Sequence, residues 1–296
     1  MQYLESFTLA SADAEESYLL SYPYKLEMQC YDHNNVYPFK LFPQKRMPRL
    51  GFDTITIFYG GNGSGKSTLL NIIAEKLRLK RSAPYNKTPF MSEYLKRCDY
   101  TLSRLKSPPQ GSRIITSDDV FDFLLDIRSI NEGIDRRRDE LFEEYDSIND
   151  PFAPRWQMRS FDDYEELKKR NEARGHTKSK FVSRRLPKEL SGRSNGESAY
   201  AYFTQEIGER ALYLLDEPEN SLSAKLQRDL ARFIEDSARF YDCQFVMSTH
   251  SPFLLSLKGA RIYDLDSTPV GIRDWTELAN VRVWQEFFEE HREEFK

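Results

Sequence analysis

The sequence predicts an α/β fold: a mainly parallel sheet, a β-rich N-terminal part expected to be antiparallel, and a helical insertion in the middle. Three observations carry this. The glycine-rich stretch Gly60-Gly61-Asn62-Gly63-Ser64-Gly65-Lys66-Ser67-Thr68 stands between a strand-like run, Ile55–Tyr59, and apolar residues at helical spacing, Leu69, Leu70, Ile72, Ile73 and Leu77. Short continuous apolar runs at Ala211–Leu215 and Phe245–Thr249 read as strands buried on both faces. Between them Leu222, Leu226, Leu230, Phe233 and Ile234 mark an amphipathic helix. Strands alternating with helices imply parallel pairing with right-handed crossovers.

Taken in order, Tyr3, Phe7 and Leu9 open a short strand, and Val36–Phe42 alternates into a second. Ser11 to Glu16 is polar and reads as a loop. The helix after Lys66 is expected to end near Leu79, where Lys80 and Arg81 complement its dipole and Pro84 follows. Prolines 84, 89, 108 and 109 break up residues 82–117. From Asp118 a long helical pattern runs through Val120, Phe121, Leu124, Leu125, Ile127, Ile130, Ile134, Leu141 and Phe142, with Ser117 or Asp118 as cap. Phe161 to Ala173 reads as a shorter helix, Arg261–Leu265 as a further strand and Val283–Phe295 as a charged terminal helix. The expected organisation is a single domain over 1–296, its core formed by 1–81 and 191–296 and its mainly helical insertion by 82–190.

Composition narrows the class. With 39% hydrophobic and 30% charged residues, the chain suits a soluble globular protein. No stretch approaches the ~18–20 consecutive apolar residues of a membrane helix, and Met1–Glu5 lacks the start of a secretory signal, so a cytoplasmic location without membrane insertion is expected. Cys30, Cys98 and Cys243 show no C-x-x-C spacing, which fits a reducing compartment. Four histidines without metal-ligand spacing argue against zinc. The net charge of −4 conceals a basic segment, Lys168–Lys188, with nine basic residues against Glu172 alone. A local patch of that sign on an otherwise acidic chain suits an acidic protein partner or a nucleic acid; a merely solvated face is the plainer reading.

The glycine-rich stretch fits the P-loop pattern G-x-x-x-x-G-K-[ST] at every fixed position. Its glycines let backbone N–H groups and a helix N-terminus surround phosphate. Gly60, Asn62, Gly63, Ser64, Gly65, Lys66, Ser67 and Thr68 are therefore expected to bind a nucleoside triphosphate. Lys66 would reach the β- and γ-phosphates and the Ser67 hydroxyl would ligate Mg²⁺. Asp216-Glu217 closes the run Ala211–Leu215, at the strand end where open α/β sheets place ligands. Asp216 suits a magnesium ligand and Glu217 a residue that orients or deprotonates the attacking water. His250 closes Phe245–Thr249 at the same edge and is expected to touch the γ-phosphate.

GGNGSGKST, LYLLDEPENSLS and STHSP together resemble the Walker A, Walker B with its catalytic glutamate, D-loop and H-loop of ABC-type ATPases. The resemblance covers residues 36–80 and 190–266. It implies ATP and Mg²⁺ as cofactors and a head-to-tail homodimer, with each ATP between one subunit's P-loop and the other's signature segment. Two registers compete for that segment. Leu190-Ser191-Gly192-Arg193 copies its first letters, whereas Ser194-Asn195-Gly196-Glu197 matches S-x-G-[QE] and lies at the family's spacing, 22 residues before Asp216. Ser194 and Gly196 are accordingly the expected contacts to the opposing nucleotide. Asn220-Ser221-Leu222-Ser223 takes the D-loop position, Ser117-Asp118-Asp119 the Q-loop position, and Tyr37 or Phe39 the place of the adenine-stacking aromatic. The layout is similar to stand-alone ATPases of prokaryotic defence or toxin modules. That similarity implies a Mg²⁺-dependent ATP hydrolase whose dimerisation controls a separate effector, a nuclease or toxin. A transporter's nucleotide-binding subunit and a DNA-binding repair-like ATPase are the alternatives, the latter without coiled-coil arms because the insertion holds no heptads.

Overall fold

The computed structural model describes residues 2–21, 36–85, 87–152, 163–186 and 194–295. The chain divides into two compact units, Met1–Asp122 with Asn195–Lys296, and Phe123–Ser194. The first unit holds two sheets. Strands β1 (Leu4–Thr8) and β2 (Leu50–Gly51) pair antiparallel, and β3 is Ile55–Tyr59. β4 (Asp99–Leu102) pairs antiparallel with the other edge of β1, giving a three-stranded sheet in the order β2-β1-β4. β5 (Arg113–Thr116), β6 (Leu212–Asp216), β7 (Gln244–Ser248), β8 (Arg261–Asp264) and β9 (Gly271–Ile272) join β3 in a six-stranded sheet ordered β5-β6-β7-β3-β8-β9. Every pairing in it is parallel except β8 with β9. The sheet is thus of the mainly parallel kind expected, accompanied by an antiparallel N-terminal part.

One row of this sheet positions the site. Thr116 pairs with Asp216, Asp216 with Ser248, Ser248 with Phe58, and Phe58 with Tyr263. The C-terminal ends of neighbouring strands therefore align, and the loops after β3, β6 and β7 leave the sheet side by side. β3 and β7 are buried at all five positions, as strands covered on both faces must be. A buried amide ties the two sheets together. Gln244 Oε1 accepts from Tyr3 N (2.8 Å) and Leu4 N (2.7 Å), and its Nε2 donates to Leu4 O (2.8 Å) and Asp53 O (3.0 Å). All four of its hydrogen-bonding positions are used, the condition under which a polar group is tolerated in a core.

Helix α1 (Ala12–Leu19) lies where a loop was expected. Ser11 accepts from Ala14 N at 3.2 Å as its N-cap, and Asp13 and Glu15 favour the positive end of the dipole. Val36–Phe42, read as a strand, is a series of turns. Its buried residues are Val36, Pro38, Phe39 and Phe42, which is not the alternation of a strand, and Lys40 adopts a φ of 67°. Helix α2 (Lys66–Leu77) buries Leu69, Leu70, Ile72, Ile73 and Leu77, and a short helix α3 (Met91–Leu95) follows. Residues 82–122, expected in the insertion, belong to the first unit and supply β4 and β5. Both strands are four residues long, and the prolines around them hide the alternation.

The second unit is helical. Helix α4 (Ser117–Asn149) begins in the first unit, and its residues from Phe123 onward belong to the second with α5 (Tyr164–Gly175) and α6 (Lys178–Ser183). Leu141, Ile148, Ala173, Phe181 and Val182 form its core, and Tyr145 OH donates to His176 O at 3.0 Å. The first unit resumes with α7 (Asn195–Glu206), α8 (Ala224–Phe240), α9 (Pro252–Leu255) and α10 (Ala279–Glu290). Ser223 caps α8 by accepting from Leu226 N. No helix among the described residues is long and apolar enough to cross a membrane.

Candidate active site

The loop Gly60–Gly65 joins β3 to the N-terminus of α2. Gly65 is the N-cap, with a φ of 95°, and a Cβ there would lie 3.3 Å from the Phe42 ring. Glycine is required for both reasons. Lys66, only 4% exposed, turns back over the loop: Nζ donates to Gly60 O (2.8 Å) and Gly61 O (3.1 Å) and lies 2.8 Å from His250 Nε2. Glu217 Oε1 is 3.8 Å from the same ammonium and 3.6 Å from His250 Nε2.

Asp216, at the end of β6, accepts from Ser67 Oγ at 3.0 Å and from Ser248 Oγ. Burial pushes its carboxyl above the ordinary range, against the pull of those two hydroxyls. Glu217 moves the other way, to about 2, through the bond with His250, then that with Asn220 (3.2 Å) and the charge of Lys66. Its backbone is left-handed, with a φ of 48°. Its N–H is held by both Ser248 O and Ser248 Oγ, each at 3.1 Å. A non-glycine residue in that region has to be held there by its surroundings. Adjacent carboxylates thus point to different work: Asp216 with Ser67 offers a pair of hard oxygens, and Glu217 faces the two cationic or basic groups.

Positioning residues that motif reading missed surround these. Half-buried Glu219 accepts from His250 N and, at 3.2 Å, from Ser251 N, so it fixes the chain that carries His250. Burial raises its pKa. Asp266, beyond β8, accepts from Gly61 N at 2.7 Å. Tyr59 sets its ring 6.5 Å from that of His250 at 70°, and Asn280 Nδ2 donates to His250 O at 3.4 Å. In the sequence these partners lie 30 to 205 residues from what they hold, so no local pattern marks them.

A cavity of about 320 Å³ lies over the loop, lined by Tyr37, Leu41, residues 62–68 and Glu217. Tyr37 lines it and donates from its hydroxyl to Thr68 Oγ1 at 2.8 Å. Phe39 is buried, stacked on Tyr18 at 4.9 Å. Of the two aromatics considered for adenine, Tyr37 alone faces the cavity.

The other expected residues are placed differently. Ser194 is exposed and ends the second unit. Gly196 lies in the first turn of α7, where a Cβ would meet Leu226 Cδ1 at 3.1 Å and Ser221 O at 3.2 Å. Its close backbone approach is thus to the D-loop segment. The rival register, 190–193, lies outside the described residues, as do Cys30 and Lys188. In the Q-loop position, Asp119 accepts from Thr116 N and Ala83 N, each at 2.6 Å, and so caps the turn into α4. In the basic segment, Lys169 pairs with Glu144 (2.8 Å), Arg170 with Glu166 (2.8 Å), Lys178 with Asp146 (2.6 Å), and Arg184 and Arg185 with Glu172 (3.6 and 2.7 Å). Five of its nine basic residues are therefore paired with four acids of their own unit.

Two family models match the chain. One, described as ABC transporter, covers residues 50–220, more than half of the sequence. The other, an AAA-domain model whose description names an AbiEii toxin of a Type IV TA system, covers 189–256. No curated protein matches. Among solved structures, the SMC head domain from Thermotoga maritima is similar at 15% identity, covering 76% of this chain and 92% of that one, with a TM-score of 0.36. A nucleotide-free ATP-binding cassette from an ABC transporter is similar at 15% identity, covering 79% and 87%, with a TM-score of 0.39. A dimeric ATP-binding cassette bound to ADP and Pi is similar at 15% identity, covering 77% and 88%, with a TM-score of 0.35.

Proposed function

This chain belongs to the ABC transporter family, and on that premise we propose that two copies close head to tail on Mg²⁺-ATP, hydrolyse it, and pass the closing and opening to a separate effector. ATPase activity in general follows from the family; the rest is our reading. The observation that carries it is the meeting of Lys66, Ser67, Asp216, Glu217 and His250 at one sheet edge, each within 3.8 Å of another of the set.

In this reading the amides of residues 60–65 and Lys66 take the phosphates, with Lys66 exchanging its carbonyl partners for phosphate oxygens. Among the described residues no cluster of three or more His, Cys, Asp or Glu side chains stands ready for a metal. The donor set at Ser67 and Asp216, two oxygens 3.0 Å apart, fits a hard cation that brings further oxygens with it on a triphosphate. Magnesium held there would neutralise charge developing on the transferred phosphoryl group. Glu217, with a pKa near 2, accepts a proton poorly but stays ionised. Its part is to hold and orient the attacking water, with His250 turned to the γ-phosphate. Tyr37 stacks on the adenine. Ser194 of the second copy completes the site across the dimer.

The match to the AAA-domain model over 189–256 supports an effector in a prokaryotic defence module, a nuclease or toxin. The Lys168–Lys188 segment is the proposed contact for that effector, or for nucleic acid, through the basic residues its own acids leave over.

The test is Glu217→Gln. It removes the water-orienting charge and keeps the P-loop, so the variant is expected to bind ATP, lose hydrolysis by about 10³-fold and accumulate as a dimer in light-scattering chromatography. A monomer at saturating ATP overturns the proposal.

A further inference from the structure

One wall of the nucleotide cavity is held from behind by a buried acid. Tyr37 and Leu41 both line the cavity, and Lys40 stands between them in the chain. Lys40 is left-handed, with a φ of 67°, a conformation that a non-glycine residue keeps only when its surroundings hold it. The holding group is Glu15 of α1, whose Oε2 accepts from Lys40 N at 2.6 Å. Glu15 is only 2% exposed. Burial pushes its carboxyl above the ordinary range, against the pull of the Lys40 N–H and the Tyr94 hydroxyl. A carboxyl group placed there costs desolvation that an apolar residue facing the same core would avoid.

The turn that carries Lys40 lies directly on the phosphate loop. A Cβ on Gly65 would be 3.3 Å from Phe42 and 3.5 Å from Leu41. Phe39 is clamped between helices, stacked on Tyr18 of α1 at 4.9 Å and edge-on to Tyr94 of α3 at 5.1 Å. At the start of the turn, Tyr37 OH donates to Thr68 Oγ1 at 2.8 Å, and Tyr37 O accepts from Thr88 Oγ1. Towards its end, the bond from Lys40 N to Glu15 fixes the backbone that Leu41 continues.

We propose that Glu15 is a positioning residue for the base of the nucleotide: through Lys40 N it sets the wall formed by Tyr37 and Leu41. This rests on the reading of the cavity as an ATP site and adds a determinant that lies outside every motif. In that reading the triphosphate is taken by the loop and Lys66. Loss of Glu15 therefore weakens the hold on the base and spares the hold on the phosphates.

The test is calorimetry with two magnesium-loaded probes, ATP and inorganic tripolyphosphate. The wild type is expected to bind ATP at least about 10-fold more tightly, the worth of stacking a base on an aromatic ring. Glu15→Ala is expected to lose about 10-fold for ATP, as for a hydrogen bond to a charged group, and less than about two-fold for tripolyphosphate. Glu15→Leu removes the acceptor while filling the space and is expected to split the probes likewise, so the test stands if the alanine variant does not fold. Glu15→Gln keeps an acceptor for Lys40 N and is expected to stay within about three-fold of the wild type for both probes. The inference is overturned, with the ATP reading left standing, if the alanine and leucine variants bind ATP as the wild type does or lose both probes equally. It is overturned too if Glu15→Gln is as weak for ATP as Glu15→Ala, or if the wild type binds the two probes alike. A wild type that binds neither probe overturns the ATP reading with it.

Discussion

In the sheet unit, charged groups are withdrawn from water and face one another: Lys66 is enclosed, Glu219 is half-buried, and Asp216 lies between two serine hydroxyls. In the helical unit, ion pairs lie exposed or half-buried along the helices. Lys178 and Asp146 pair at 2.6 Å while 40% and 63% exposed, and the interior is a small cluster around Phe181 and Leu141. The first arrangement costs desolvation that a purely structural sheet has no reason to bear, and it concentrates perturbed carboxylates at one edge. The second is what a helical module needs in order to stay folded and soluble. The contrast places the perturbed carboxylates in one unit and a small apolar core with flanking ion pairs in the other.

That contrast breaks most readily at Lys66. Lys66→Ala should reduce ATP affinity by at least about 100-fold in calorimetry, because it removes the one buried cation over the loop. Unchanged affinity would contradict the P-loop assignment. An effect of intermediate size belongs to Phe181→Ala, which should cost the helical unit about 3–5 kcal/mol. Hydrogen exchange should quicken within 123–194 while ATP affinity stays as it was; a parallel loss of binding would mean that the units do not divide labour. Smallest is Lys178→Ala, expected to change stability by about 0–1 kcal/mol because the pair is exposed and screened. A larger loss in thermal unfolding would show that the ion pairs hold the helical unit more than its core does.

Legibility followed sequence distance. The P-loop could be read because nine adjacent residues carry it, and Asp216, Glu217 and His250 because each follows an apolar strand directly. Glu219, Ser248, Asp266 and Gln244 could not. Gln244 acts on Tyr3 and Leu4 some 240 residues away, and a glutamine opening a strand announces nothing by itself. Helix α1 was hidden by its polarity: Ala12–Leu19 packs on the core through Tyr18, which stacks on Phe39, and Leu19. Val36–Phe42 erred the other way, since its aromatics suggest a strand while the segment turns and buries Val36, Pro38, Phe39 and Phe42 without alternation. The boundary expected at 82 falls at 122, because β4 and β5 gain their strand character from partners in β1 and β6 rather than from their own four residues.

The resting contacts of Lys66 have a consequence for selectivity. Two carbonyls and an imidazole nitrogen already surround its ammonium within 3.1 Å. An incoming anion must replace those neighbours with something better. A lone sulfate or phosphate supplies one anionic group and leaves Ser67 and Asp216 unaddressed. A triphosphate carrying its own cation engages both ends of the site in the same event. On the proposed reading, a triphosphate with its cation thereby gains more from the loop than a small anion does, before any discrimination among bases begins.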